Sequence, residues 1–133
     1  MARAWKFVIP INPVPASRPR VSKWGCYYGK NYTRFRKEAP DAIAEAIRDS
    51  GVGQNALPLT QTVECDFTFN IRKPKTSKLK YPRMDCDNLL KAIQDSLQGI
   101  IIIDDNQIIA VKARKQWATQ EPNITLKIKV VNS

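Results

Sequence analysis

Two pairs of aspartates stand close together in a chain that is otherwise strongly basic. Asp85 and Asp87 are two residues apart, and Asp104 and Asp105 are adjacent. The chain has 22 lysines and arginines against 12 acidic residues, a formal net charge of +10. Carboxylate oxygens are ligands that hard divalent cations such as Mg²⁺ prefer. The spacing therefore predicts either a metal site built from carboxylates or a set of helix caps and polar turns.

Histidine is absent from the sequence. Its absence excludes Ser-His-Asp catalysis, Cys-His catalysis and hydrolysis with a histidine general base. An enzyme of this composition would have to draw on carboxylates, lysine and metal. The three cysteines, Cys26, Cys65 and Cys86, are odd in number and widely spaced. This spacing argues against a disulfide framework and against a cysteine zinc site.

A helix is predicted directly after the first aspartate pair. Apolar side chains recur there at helical intervals, at Cys86, Leu89, Leu90, Ile93 and Leu97. Asp85 or Asp87 would begin this helix and Gly99 would end it. The apolar run 100–103 is then a buried strand or strand-like turn, and its return could bring the second aspartate pair beside the first. Lys91 lies one helical turn after Asp87, on the same face.

The remaining pattern predicts the fold class. Alternating apolar and polar residues indicate strands over 5–11, 63–71, 109–117 and 124–130. A second helix would run from a cap at Thr33 to about residue 50. Pro40 inside that span implies either a kink or a later start just before it. We therefore expect a single α/β (α+β) domain over residues 1–133, with a mixed sheet, two main helices, the order β-α-β-α-β-β and a short extra strand at 100–103.

Two basic runs contain no acidic residue. Residues 17–37 carry seven cations interleaved with Trp24, Tyr27, Tyr28 and Tyr32, and residues 72–83 carry six. Cations suit phosphates and aromatic rings suit unstacked bases, so both runs are candidates for binding nucleic acid. Solvated loops are the alternative. The candidate DNA-binding residues are Arg18, Arg20, Lys23, Lys30, Arg72, Lys73, Lys75, Lys78, Lys80 and Arg83.

The acidic region as a whole resembles a known signature. The pattern D-x-D-N-L-x-K-A-x-x-D-x-L, then a glycine and an apolar run, then D-D-x-Q-I spans residues 85–108. It is similar to the motif of RusA-type Holliday-junction resolvases. R-P-R-V at 18–21 and Y-T at 32–33 also recur in phage members of that family.

The resemblance implies site residues and partners. Asp85, Asp87 and Asp105 match the positions that hold Mg²⁺ or Mn²⁺, and Asp104 is a further candidate ligand. Lys91 matches the motif lysine, whose ammonium would steady a water nucleophile or the charge developing on phosphorus. The family acts as a homodimer on four-way DNA. The implied protein is thus a Mg²⁺-dependent crossover junction endodeoxyribonuclease that resolves Holliday junctions by paired phosphodiester hydrolysis.

Rival functions remain open on the sequence. One is a non-catalytic basic DNA-binding module in which the aspartates only cap and turn. Another is a different metal-dependent nuclease of branched DNA, and a third is a nucleotide-directed phosphoryl-transfer enzyme, against which the two basic runs argue. The sequence has neither an apolar run of membrane-spanning length nor a signal peptide. We therefore expect no membrane partner and a location in the cytoplasm of a bacterial host, with either the host or a phage encoding the protein.

Overall fold

The computed structural model describes residues 3–17, 20–23, 25–27 and 29–131. At positions 20, 22, 25–27 and 54 it describes the backbone only. Arg18, Trp24 and Tyr28, which the sequence analysis singled out, lie outside the described residues, as do the side chains of Arg20, Cys26 and Tyr27.

The order of the main elements confirms the predicted β-α-β-α-β-β arrangement. The elements are β1 (Ala4–Ile9), β2 (Arg20–Ser22), β3 (Gly25–Tyr27), α1 (Lys30–Ser50), β4 (Val63–Ile71), α2 (Cys86–Leu97), β5 (Ile108–Trp117) and β6 (Asn123–Val130). The hairpin of β2 and β3, which the sequence pattern did not reveal, interrupts the first basic run. None of the described helices is both long and apolar enough to cross a membrane.

Four strands form one mixed sheet in the order β1-β6-β4-β5. β4 and β5 are parallel, whereas β6 runs antiparallel to both of its neighbours, β1 and β4. α2 is the crossover between the parallel strands β4 and β5. The carboxyl ends of β1, β4 and β5 consequently lie at the same end of the sheet, and α2 runs back from that end toward the start of β5.

The core lies between one face of the sheet and the two helices. β4 shows the predicted alternation, because Val63, Cys65, Phe67, Phe69 and Ile71 are all buried. Fully burying a phenylalanine contributes about 1.5–3 kcal/mol relative to leaving it exposed. The buried face of β4 therefore stabilises the parallel β4-α2-β5 unit, and the acidic residues lie in and beside that unit.

The start predicted for α1 is wrong. The helix begins at Lys30 after Gly29, so Thr33 lies inside the helix rather than at its cap. Tyr32 is buried, and it extends the apolar face by one turn from Phe35 past the predicted start. The helix also runs through Pro40, so the alternative of a start just before that residue is wrong. Pro40 removes one helical hydrogen bond, and the apolar face on both sides of it keeps the helix continuous.

The extra strand predicted at 100–103 is also wrong. The segment is a turn, the alternative that the sequence left open, and Ile101 and Ile102 are its buried residues. Within it only Ile102 makes isolated bridges, to Leu59 and Gln98. Gly99 has a φ of +83°, a left-handed conformation that glycine adopts without steric cost. The amides of Ile100, Ile101 and Ile102 then all donate to the carbonyl of Leu97, at 3.1, 3.0 and 3.3 Å. These bonds coil the run tightly after the helix, so it cannot extend as a strand.

Two cysteine side chains are described, and both are free thiols. Cys65 is buried in β4, where desolvation raises the pKa of its thiol to about 12. Cys86 is the first residue of α2 and is half-buried. The Cys65 thiol is therefore protonated at neutral pH and acts as a core side chain.

Candidate functional site

The first aspartate pair lies at the beginning of α2. Asp85 is the residue before the helix, with φ −71° and ψ 137°, and Asp87 is in the first turn. The Asp85 carboxylate makes no capping hydrogen bond, although its carbonyl accepts from the amides of Asn88 and Leu89. Both carboxylates are exposed. Asp85 is thus placed as a cap but does not use its side chain as one, and the helix N-terminus favours its negative charge.

The second pair has two members with different roles. Asp104 caps a short 3₁₀ helix, Asp105–Gln107, by accepting a hydrogen bond of 3.0 Å from the amide of Asn106. The sequence allowed a polar turn at residues 104–106, and Asp104 lies in such a turn, where its side chain also caps the 3₁₀ helix. Asp105 follows it and is exposed. Of the two carboxylates, Asp105 is the one better placed to bind a ligand.

Gln107 fixes the turn that presents this pair. Its amide oxygen accepts from the backbone amides of Ile103 and Asp104 at 2.7 and 2.9 Å. Its amide nitrogen donates to the carbonyls of Leu59 and Gln61 at 2.8 and 2.9 Å. Gln107 stands in the motif that the sequence displays, but its role depends on a segment 46 and 48 residues away. The position was visible in the sequence and the function was not.

The charges that act on Asp105 come from its neighbour Asp104 and from Lys91 and Asp95 on α2. A hydrogen bond with the Asp104 side chain raises the pKa of Asp105, and desolvation and the charges of Asp104 and Asp95 raise it further, whereas Lys91 lowers it. Lys91 forms an ion pair of 3.6 Å with Asp95 and not with Asp87. Asp95 is therefore a neighbour of the site that sequence reasoning missed. Its i,i+4 spacing from Lys91 was the available signal.

The structure does not gather the three predicted ligands within one copy. Asp85 and Asp87 lie at the start of α2. Asp105 instead lies near Lys91 and Asp95, which are one and two helical turns after Asp87. A helix of 12 residues is about 18 Å long. Among the described residues, no three acidic or cysteine side chains come close enough to hold one metal ion. The assignment of Asp85, Asp87 and Asp105 as metal ligands stays a prediction.

The first basic run starts beside the first turn of α2, and the second starts beside Asn12, which precedes the first run, and leads into Asp85. The amide of Ala16 donates to the carbonyl of Asn88, in the first turn of α2, at 2.9 Å. The amide of Arg72 donates to the side-chain oxygen of Asn12 at 2.9 Å. The predicted DNA-binding cations whose side chains are described are all exposed, namely Lys23, Lys30, Arg72, Lys73, Lys75, Lys78, Lys80 and Arg83. This end of the sheet is therefore acidic at the helix start and basic around it.

The segment between β4 and α2, residues 72–85, is named the basic arm. It contains no helix or strand, and the indole nitrogen of Trp117 holds it by donating to the carbonyl of Leu79 at 3.0 Å. Pro82 is buried, and Met84 packs partly against the core. The basic arm thus projects its cations outward while its second half is fastened to the end of β5.

Comparison with known proteins agrees with this arrangement. The family model described as endodeoxyribonuclease RusA matches residues 10–129, which is most of the chain. No curated protein matches the chain. The matched span includes both aspartate pairs, Lys91 and the basic arm. This chain therefore belongs to the RusA endodeoxyribonuclease family.

Proposed function

We propose that the protein is a divalent-metal-dependent endonuclease that resolves four-way DNA junctions by paired phosphodiester hydrolysis, as a step in DNA recombination and repair. One observation carries the proposal beyond family membership. Asp85 and Asp87 are exposed carboxylates at a helix start, Asp85 has no capping bond, and a basic arm leads directly into them. A non-catalytic module would have no use for uncommitted carboxylates facing the phosphates it must bind.

The donor set fits Mg²⁺ or Mn²⁺. Asp85, Asp87 and Asp105 offer carboxylate oxygens, and histidine and paired cysteines are missing from the site. A bound divalent ion polarises the phosphodiester and lowers the pKa of water. The ammonium of Lys91 lies on the same side as Asp105 and Asp95, so it can hold a phosphate oxygen against the local negative charge. The cations of the basic arm position the DNA backbone.

The active form proposed here is a homodimer, because one copy does not bring the acidic residues together. β5 is an edge strand of 10 residues, and its outer backbone makes no hydrogen bond among the described residues. Ile109 and Val111 on it are 57% and 47% exposed. Long exposed edges that carry apolar residues are sites for pairing with another chain.

Antiparallel pairing of β5 with its copy about a two-fold axis would complete the site. The start of β5 follows Asp105, and the end of β5 holds the basic arm that leads to Asp85. In an antiparallel pair the start of one strand lies beside the end of the other. Asp105 of one copy would then approach the Asp85 and Asp87 pair of the second. A four-way junction has two-fold symmetry, so such a dimer offers one site to each of the two strands that must be cut.

The direct test compares a mobile four-way junction with a linear duplex of the same sequence, in Mg²⁺ and in EDTA. We expect paired incision of the junction in Mg²⁺, and neither cleavage of the duplex nor cleavage in EDTA. Binding without cleavage under all conditions would favour the DNA-binding module. Equal cleavage of junctions, three-way forks and flaps would favour a broader nuclease of branched DNA.

The basic arm gives a separate prediction about binding. Each phosphate contact on a duplex arm contributes about 0.9 to the slope of log affinity against log salt. The double variant Lys73→Ala/Lys75→Ala should therefore weaken junction binding at physiological salt and flatten the slope by about one to two units. Binding isotherms at four salt concentrations measure both quantities. Lys127→Ala/Lys129→Ala removes the same charge from exposed positions of β6 and should leave the slope unchanged.

Lys91→Ala should show the opposite behaviour. Its proposed partner is the reacting phosphate, so the salt slope should stay nearly constant while single-turnover cleavage of bound junction falls about a hundredfold. If Lys91→Ala instead weakened junction binding and left the cleavage rate of bound junction unchanged, Lys91 would contact the DNA backbone and not the reacting phosphate.

A further inference from the structure

We propose that Lys115 of β5 is a positioning residue for the metal site, and that it acts by fixing the peptide group that precedes Asp85. This inference rests on the proposed function, because it takes Asp85 as a metal ligand. Its evidence is separate, since it comes from contacts of β5 that the family motif does not include.

Lys115 is half-buried, and its ammonium contacts other residues of the protein. In the parallel ladder it is paired with Phe69, which is fully buried, so its side chain leaves the sheet on the face that the helices cover. Its Nζ donates a hydrogen bond of 2.7 Å to the carbonyl of Met84. The same Nζ lies 5.7 Å from the ring centroid of Tyr81. The lysines of the basic arm are exposed by comparison.

The basic arm contains few described hydrogen bonds near Asp85. Fourteen residues, 72–85, join β4 to α2 without helix or strand. Trp117 holds the carbonyl of Leu79, but that contact lies six residues before Asp85. The Asp85 side chain has no capping bond that would fix its own rotamer. Among the described residues, the bond from Lys115 to Met84 is therefore the hydrogen bond nearest to Asp85 that ties the basic arm to the sheet.

The chemistry of this contact suits a support for a metal ligand. A charged donor makes a shorter and stronger hydrogen bond than a neutral one, and the face of Tyr81 adds an attraction for the ammonium. Among the described residues, no carboxylate lies within ion-pair distance of Lys115. Its charge therefore stays available to offset the negative charge that accumulates at Asp85 and Asp87. Groups that support metal ligands typically change metal affinity ten- to a hundredfold when removed.

The test uses three variants of the protein. Lys115→Met removes the donor and keeps the length and apolar stem, whereas Lys115→Arg keeps a charged donor. Lys6→Met is the matched control, because Lys6 is an exposed lysine on β1, the opposite edge strand of the sheet, and no proposed site or interface includes it. The readouts are Mn²⁺ binding to DNA-free protein by electron paramagnetic resonance, the Mg²⁺ concentration for half-maximal cleavage, and junction affinity in Ca²⁺ at several salt concentrations.

We expect Lys115→Met to weaken Mn²⁺ binding about tenfold and to raise the half-maximal Mg²⁺ concentration by the same factor. Lys115→Arg should stay within about threefold of the wild type, and Lys6→Met should bind Mn²⁺ like the wild type. Junction affinity and its salt slope should not change. If Lys115→Met binds Mn²⁺ normally but loses junction affinity and about one unit of salt slope, Lys115 is a phosphate contact and the inference is overturned.

Two controls keep the result decisive. Should Lys115→Met melt before the assay temperature, Tyr81→Leu takes its place, because Tyr81 is 64% exposed and its loss removes only the ring beneath the ammonium. A weakening of Mn²⁺ binding by about threefold is then expected, and an unchanged value overturns the inference. Wild-type protein that neither binds Mn²⁺ nor cuts junctions would refute the proposed function itself. If the wild type binds Mn²⁺ and cuts junctions, and Lys115→Met binds Mn²⁺ equally well, only the positioning role of Lys115 is refuted.

Discussion

Asp87→Asn and Asp105→Asn should each lower junction cleavage by at least about a thousandfold, a loss of about 4 kcal/mol of transition-state stabilisation. Each change removes one negative charge from the proposed metal site and keeps the size of the side chain. Junction binding should remain intact or become tighter, because a carboxylate without its metal repels phosphate. Single-turnover cleavage and a binding assay in Ca²⁺ measure the two effects separately.

Asp104→Asn is the matched control for that experiment. The Asp104 carboxylate caps the 3₁₀ helix that follows it, and asparagine caps a helix about as well as aspartate. We therefore expect this variant to cleave like the wild type although it lies next to Asp105. If Asp104→Asn lost cleavage and Asp105→Asn kept it, Asp104 would be the metal ligand and Asp105 would not. Full cleavage by Asp87→Asn and Asp105→Asn would refute the site.

Mixed dimers should restore activity that neither parent dimer has. If each site takes Asp87 from one copy and Asp105 from the other, a dimer of one Asp87→Asn copy and one Asp105→Asn copy contains one fully mutated site and one intact site. Such a dimer, isolated with two affinity tags, should nick one strand of the junction without completing paired resolution. A site contained within a single copy predicts no activity from the same dimer.

The control pair for mixing is Asp85→Asn with Asp87→Asn. Both residues lie at the start of α2, so both sites of that mixed dimer stay defective under either arrangement. Activity in this pair would point to exchange of subunits or to contamination. Sedimentation that finds a monomer at micromolar concentration, both alone and with junction, would remove the basis of the composite site.

The parts of this fold that the sequence predicted are those that local pattern controls. β4 alternates strictly and is buried as expected, and α2 follows its apolar spacing. The start of α1 was missed because Tyr32 extends the buried face past Thr33, and one tyrosine in an aromatic and basic run does not indicate its burial. The run 100–103 has strand-like composition, but the amides of its first three residues donate to the carbonyl of Leu97.

The site divides in the same way. The position of Asp85 before a helix and the polar turn at Asp104 are local features, and short patterns indicate both. The contacts that hold the site in place join distant residues, such as Lys115 with Met84 across 31 positions and Gln107 with Leu59 across 48. A lysine in an exposed edge strand has the sequence signature of a solvated cation. Only the register of β5 against β4 shows that the Lys115 side chain lies on the face of the sheet that the helices cover.

The place of β6 in the sheet has a consequence for biosynthesis. β6 follows the other strands in the chain, yet it lies between β1 and β4 and pairs with both. While the chain is being translated, β1 has no partner until β6 leaves the ribosome, and β4 has only β5. The parallel β4-α2-β5 unit, with its acidic residues and apolar face, is therefore exposed before the sheet can close. Pairings of such long sequence separation slow folding and leave strand edges open to aggregation, so nascent chains of this protein should be clients of ribosome-associated chaperones.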